Sequence, residues 1–383
     1  MADSQSYSAQ VFGSISEIGA NEWDACTEGN PFVKHAFLHA LEQSGCATAD
    51  TGWQPYHIGI KSVGCDQYIA FMPCYLKSHS YGEYVFDHAW ANAFERAGGR
   101  YYPKLQAATP FTPATTPKLL ISPSTPIEAK EALLETLRRA VAGLGISSAH
   151  LTFLTKQEAD IASKAGYLVR TDQQFHWENN DYKSFDDFLG ALSSRKRKQI
   201  RKERRVATST GIVIEQFRGT EIKETHWDAF FEFYQDTGAR KWGQPYLNRD
   251  FFTRAGATMG ENIVLFLCRN SEHYIAGALN FLGPDTLYGR YWGCLEDHPC
   301  LHFEACYYQA IDYAIEKGLK TVEAGAQGPH KIARGYVPIK TYSAHWIENE
   351  GFRTAVANFL TTERQNVEAE VNYLAGRTPF KVE

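Results

Sequence analysis

The chain has 383 residues, 44% of them hydrophobic and 14% aromatic, which is enough for a large core and favours two domains over one. With 39 Lys and Arg against 44 Asp and Glu, the formal net charge is -5. That excludes a polycation that coats nucleic acid over its whole surface, so any basic patch is local. The start, MADSQSYSAQ, has no basic-plus-apolar leader pattern, and no apolar run approaches the roughly 20 residues that span a bilayer. The chain reads as cytoplasmic. Eight cysteines without a CxxC pair read as reduced, buried thiols rather than a disulfide framework.

In chain order, Trp23-Asp24-Ala25 lies in a helical stretch. YHIGI (56–60), a polar turn at Gly64–Asp66 and QYIAFMPCY (67–75) form a predicted hairpin. KSHSYGEYVFD (77–87) and YYPKLQAATPFTP (101–113) carry Tyr81, Glu83, Asp87, Tyr101, Tyr102 and Lys104. Aromatics with interspersed charge suit a ligand cleft, and equally an interdomain contact. The Pro/Thr-rich segment 109–126 reads as a rigid loop or an edge strand, since Pro lacks a ladder donor. EALLETLRRAVAGLG (131–145) is a helix stopped by glycine, followed by the strand AHLTFL (149–154). A domain boundary is placed near residue 170, giving 1–170 and 171–383.

The second half opens on SSRKRKQIRKERR (193–205), with eight basic residues and one acid, Glu203. A helix over 184–207 puts Arg195, Arg197, Lys198, Arg201, Lys202, Arg204 and Arg205 on one arc. Leu189, Leu192, Ile200 and Ala207 fall on the other side with Lys196. Such a dense arc suits a polyanion, with a merely solvated face as the alternative. Strands are predicted at 211–217, 262–269, 273–282, 285–293, 319–324 and 340–347, and further helices at 225–238, 248–258, 301–317 and 350–375.

CLEDHPCLHFEAC (294–306) gathers Cys294, His298, Cys300, His302 and Cys306. Their spacing is not a standard zinc one. The thiols read as core packing, or Cys306 or Cys300 as an acyl-accepting nucleophile with His302 as its base. Glu304, on the same helix, is expected to pair with Arg290. The strand ending in Glu323 leads into GAQGPHKIARGY (325–336), an anion-friendly loop with His330, Lys331 and Arg334. Glu323 is a candidate base for an acceptor amine, or an ion-pair partner of Lys331 or Arg334.

Three patterns recur in the same order. Trp23-Asp24-Ala25 returns as Trp227-Asp228-Ala229, and Tyr68-Ile69-Ala70 as Tyr274-Ile275-Ala276. Glu131-Ala132, opening a helix that stops at Gly145, returns as Glu304-Ala305 with a helix that stops at Gly318. These point to a duplicated α/β domain.

The layout resembles GNAT-type N-acyltransferases, and two such domains in one chain resemble the FemAB-like peptidyltransferases. SSRKRKQIRKERR before TGIVIEQF, together with KSHSYGEYVFDHAW, YYPKLQAATPFTP, TLYGRYWG, HPCLHFEACYYQA, EAGAQGPHKIARGY and TYSAHW, is similar to a bacterial N-acyltransferase branch described as peptidoglycan biosynthesis or recognition. The resemblance implies an α/β fold of tandem GNAT-like domains, with mixed sheets flanked by helices. It implies amide-bond formation on an amine acceptor, a small molecule or a lipid-linked peptidoglycan precursor. The cosubstrate would be acyl-CoA or aminoacyl-tRNA, with no permanently bound cofactor and no metal. Catalytic roles fall to Glu323, Glu304, His302 and Cys306. Donor or phosphate contacts fall to Arg195, Arg197, Arg201, Lys331, Arg334 and Arg290, and acceptor contacts to Tyr81, Glu83, Asp87, Tyr291, Gln327 and His330. One departure bears on the donor. GNAT enzymes cradle the CoA pyrophosphate on a glycine-rich loop, whereas CLEDHPCL has no glycine and carries Glu296 and Asp297. That favours an aminoacyl-tRNA donor or a non-standard CoA pose. The alternative is a non-catalytic module that recognises a peptidoglycan precursor or RNA. A plain nucleic-acid binder fits poorly with the net acidity.

Overall fold

The computed structural model describes residues 7–241, 245–325 and 328–381. Its strands, in chain order, are β1 Tyr7–Phe12, β2 Trp53–Pro55, β3 His57–Ser62, β4 Ala70–Met72, β5 Cys74–Lys77, β6 Lys104–Ala107, β7 Leu120–Ile121 and β8 Ser148–Leu154. They continue with β9 Leu168–Glu178, β10 Val213–Arg218, β11 Ile263–Arg269, β12 Tyr274–Leu282, β13 Thr286–Cys294, β14 Thr321–Glu323 and β15 Val337–Ile347. The chain divides into two compact units. One is the chain up to Asp172 with Lys340–Glu368; the other is Gln173–Ile339 with Ala369–Glu383. Sequence alone suggested one boundary near 170. The chain instead leaves the first unit along β9 and re-enters it along β15, because β15 finds its antiparallel partner in β8.

In the first unit, β1, β3, β4 and β7 form an antiparallel sheet. The Pro/Thr-rich segment ends as β7, an edge strand of that sheet. It is held from outside the ladder: buried Glu158 accepts from the backbone of Lys118 at 2.8 Å and of Leu119 at 2.7 Å. Beside this sheet run β2, β5, β6 and β8, with β6 and β8 parallel. Helix Glu128–Leu144 turns Leu133, Leu134, Leu137 and Val141 onto Ile58, Ile60, Leu105 and Leu151. Each such side chain contributes roughly 1.5–3 kcal/mol by leaving water. The helix stops at Gly145, whose φ of 64° is left-handed and strains residues with a Cβ.

In the second unit the order is β10, β11, β12, β13, β14, β9. All neighbours are antiparallel except β13 and β14. Its core packs Phe266, Ile275, Leu287, Ile311, Tyr313 and Val322 against Ile200 and Phe188. The single helix expected over 184–207 is two, Phe185–Ala191 and Ser194–Thr208. Leu192 turns extended between them and bridges Phe380, and Ser193 N–H donates to the Pro379 carbonyl at 2.9 Å. A pairing with the distant C-terminus breaks the helix there. Leu189, Leu192, Ile200 and Ala207 are buried, as the helical pattern requires. Among the described residues no helix is long and apolar enough to cross a membrane.

Candidate functional site

The parallel pair sets the geometry of the second unit. β13 and β14 pair only through Thr286–Thr321, Leu287–Val322 and Tyr288–Glu323. Beyond Tyr288, β13 runs on to Cys294 with β12 on one edge and, among the described residues, no β14 partner on the other. Opposite Leu279 and Asn280 the ladder bulges: Leu279 faces Tyr291, Asn280 faces Gly289, and Arg290 is the extra residue. Gly293 has to be glycine, because a Cβ there would lie 2.2 Å from the Phe233 carbonyl oxygen. Such bulges re-aim side chains and free backbone groups beside active sites.

Glu323 ends β14 at this point, with 8% of its surface exposed. Across the ladder it faces His176 of β9, and His176 Nε2 lies 3.9 Å from Glu323 Oε1. Burial, then Lys331, lowers His176 to about 4, so its ring is uncharged at neutral pH. Lys331 is itself buried and donates to the Gly325 carbonyl at 3.0 Å; burial lowers it to about 8 against the pull of Cys306. The expected open, anion-friendly loop is wound instead as a tight turn, Pro329–Arg334. Arg334 points inward, donating to Glu203 at 3.1 Å and stacking 3.4 Å over the Phe303 ring. Neither cation is displayed to solvent as a phosphate site would need. His330 stays exposed and meets the Tyr307 hydroxyl at 3.0 Å. Gln327 lies outside the described residues.

The helix after β13 contains a π-turn, Glu304–Tyr308, between Leu301–Phe303 and Gln309–Glu316. Such insertions are frequent at functional sites. Cys306 sits in it, half-buried, near Lys331. His302 packs edge-on to Trp292 and Tyr307. Glu304 is fully engaged elsewhere. It takes a forked contact from Arg204 at 2.9–3.2 Å and a bond from Gln309. Arg204, not Arg290, is therefore its partner, and Arg204 also grips Asp312 at 2.6 Å. This removes Arg204 from the outer basic arc and leaves Glu304 as a packing anchor. Arg290 instead lies beside the Tyr291 ring, which packs on Tyr234.

The outward face of helix Ser194–Thr208 keeps Arg195, Lys198, Arg201, Lys202 and Arg205 exposed, with Arg197 half-buried. Arg201 reaches Asp186 at 2.8 Å. The only acid in the run, Glu203, turns inward to Tyr308 and Arg334. In the loop after β13, Glu296 is held by His298 at 2.8 Å and His273 at 3.6 Å. No group of three or more His, Cys, Asp and Glu suited to a metal ion occurs among the described residues.

In the first unit Tyr81 is 62% exposed, but Glu83 and Asp87 are buried. They do not line an open cleft. Buried Lys104 donates to Glu83 at 2.7 Å, to Ser80 at 2.8 Å and to Asp87. Tyr101 O–H donates to Asp87 at 2.7 Å. Burial pushes Glu83 up to about 7 despite Lys104, while at Asp87 Lys104 and His150 outweigh burial and hold the carboxyl well below its usual range. His150 and His345 are buried and share a bond between their Nδ1 atoms at 2.7 Å. Burial, then Lys104, lowers His150 to about 3, and burial lowers His345 further than its usual range. The unfolded chain therefore takes up these protons first, so the stabilisation is full above about pH 6.5 and is lost as pH falls towards 3. At pH 5, His150 alone is expected to lower the unfolding free energy of this unit by about 2 kcal/mol. Urea titrations near neutrality and at pH 5 check this.

His176 and strand β9 were not picked out from the sequence. The signal was there: His176-Trp177 returns as His345-Trp346.

A family model, FemAB-like, described as peptidoglycan biosynthesis/recognition, matches residues 14–382. No curated protein matches the sequence. The solved structure of FemX is similar at 14% identity, covering 89% of this chain and 98% of its own, with a TM-score of 0.55. The C-terminal domain of a protein assigned as lysylphosphatidylglycerol synthetase from Agrobacterium fabrum is similar at 10% identity, with 91% and 96% coverage and a TM-score of 0.56. L-PGS from Bacillus licheniformis follows at 9% identity, 85% and 96% coverage and a TM-score of 0.50. At such identities the likeness speaks for the fold alone, and it agrees with the expected α/β architecture of mixed sheets flanked by helices. Matched over nearly its whole length by that description, the chain belongs to the FemAB-like family.

Proposed function

We propose that the chain is an N-acyltransferase that forms an amide bond on a primary amine, with chemistry in the second unit at Glu323. The observation that carries this reading is the position of Glu323. It is a nearly buried carboxylate at the point where two parallel strands end their pairing, opposite an uncharged histidine. An acceptor amine arrives largely as ammonium. Glu323 takes one proton, and the freed lone pair attacks the donor carbonyl carbon. Backbone N–H groups on the edge of β13 beyond Tyr288 are suited to the oxyanion that develops. Collapse breaks the carbonyl-to-oxygen bond of an ester donor, and the departing alkoxide takes up the second proton, which the attacking nitrogen sheds as it becomes the neutral amide.

An aminoacyl ester of tRNA fits better than acyl-CoA. The loop after β13 carries the Glu296 carboxylate and no glycine, so it does not favour a pyrophosphate. The exposed arginines and lysines of helix Ser194–Thr208 are suited to a nucleic-acid backbone. The family description points to a peptidoglycan precursor as acceptor. Arg197→Glu with Arg201→Glu is expected to weaken charged-tRNA binding about tenfold or more at moderate salt and to flatten its salt dependence. Melting temperature should hold. Filter binding over a salt series checks this, and unchanged binding leaves a solvated face.

The test of the whole reading is incubation with charged tRNA or acyl-CoA and a panel of amines that includes peptidoglycan precursors. Amide product by mass spectrometry is expected. No product across the panel, with one ligand still bound, would favour a non-catalytic recognition module, the reading that the glycine-free loop supports.

A further inference from the structure

The two units repeat one ladder. In the first, β5, β6, β8 and β15 follow one another as antiparallel, parallel and antiparallel neighbours. In the second, β12, β13, β14 and β9 do the same. The helices leading into β8 and β14 both end on a left-handed glycine, Gly145 at φ 64° and Gly318 at φ 66°. At equal distances after those glycines stand His150 and Glu323. Each faces a histidine on the next strand, His150 opposite His345 and Glu323 opposite His176. Each of those histidines is followed by a tryptophan. The histidine on this rung is thus common to both copies, and the residue opposite it is what differs.

The two outcomes differ in chemistry. In the first unit two imidazoles bond each other and are both 1% exposed. Ser148 and Tyr101 bond His150, and Ser343 bonds His345, so the rung is closed by side chains. In the second unit a carboxylate replaces one imidazole, and both partners keep some exposure, 8% at Glu323 and 7% at His176. His176 Nε2 has two oxygens near it, Gln174 Oε1 at 3.4 Å and Glu323 Oε1 at 3.9 Å. Two acceptors near one nitrogen favour the tautomer with its proton on Nε2.

The geometry points to His176 as a positioning residue for the proposed reaction: its Nε2, 3.4 Å from Gln174 Oε1 and 3.9 Å from Glu323 Oε1, is placed to close onto the Glu323 carboxylate and hold it turned for proton transfer. This rests on Glu323 being the base. Of the charged and titratable groups, Lys331 from the turn after β14 acts on His176, Cys306 on the π-turn lies near Lys331, and Tyr288 of β13 pairs with Glu323 on the same rung. Since His176 stays uncharged through neutral pH, its effect on Glu323 is that of a hydrogen-bond donor rather than of a cation.

The test uses the full chain labelled with carbon-13 at the glutamate side-chain carboxyl, with Glu323→Gln identifying the resonance of Glu323. His176→Phe and His176→Ala remove the donor, while His176→Gln keeps one. In the first two variants the titration midpoint of Glu323 is expected to rise by about half a unit to one unit, and in His176→Gln to stay near wild type. In the amide-forming assay, His176→Phe is expected to lower kcat on the order of 10–100-fold with KM within about twofold. The acid limb of its pH profile should move upward, and His176→Gln should recover most of the loss. His345→Phe is expected to lower the melting temperature without moving the Glu323 midpoint. An unmoved midpoint in both donor-free variants overturns the inference, and so does an equal shift in His345→Phe, which would mark general loosening. A wild-type chain that makes no amide defeats the proposed function, yet the titration still decides the role of His176.

Discussion

Glu323→Gln is expected to abolish amide formation, by on the order of 10²–10⁴-fold in single-turnover rate, with a melting temperature close to wild type. Gln keeps the volume and one acceptor oxygen, so packing at the end of β14 is retained. What it loses is the capacity to take a proton. An acceptor delivered as ammonium then has no lone pair to attack with, and the rate should recover partly as pH rises and bulk solvent deprotonates the amine. That pH response separates a missing base from a damaged site. Substrate binding should persist, which an equilibrium assay with either substrate checks. Full activity in the variant would end the assignment of Glu323 as base.

The second large effect concerns stability. Lys104→Met is expected to destabilise the first unit by about 3–5 kcal/mol, because it strands two carboxylates inside the protein. Lys104 is fully buried and bonds Glu83, Asp87 and Ser80 together. Methionine is close in length and fills the space, so the loss is mainly electrostatic. Adding Glu83→Gln and Asp87→Asn to Lys104→Met removes the uncompensated charge and should recover a good part of the loss. Urea denaturation of the single and triple variants measures both. A single variant within about 0.5 kcal/mol of wild type would mean that the cluster is hydrated.

Local patterns carried much of this from sequence. β11, β12 and β13 begin and end within a residue of the apolar runs that mark them, since alternation and turn residues are local signals. The features that escaped are long-range ones. Helical spacing put Arg204 on the outer arc, but a long side chain at the border of two faces goes where its partners are, and Glu304 and Asp312 lie a hundred residues on. The break at Leu192 depends on Phe380. Glu83 and Asp87 were expected to line an acceptor cleft, and their burial against Lys104 cannot be read from spacing. His176 lay in a strand with no clean alternation, and its partner Glu323 sits on another element altogether.

The route of the chain also sets a schedule for its synthesis. β8 is complete at Leu154, but the strand that covers its second edge, β15, is finished only at Ile347. At ribosomal speeds of about 5–20 residues per second, that edge waits roughly 10–40 s for its partner. Through that interval a buried run of seven residues, SAHLTFL, has unpaired N–H and C=O groups along one side. A nascent chain halted before Ile347, or a fragment cut near residue 170, is left with the same bare edge and is open to pairing with another copy of itself.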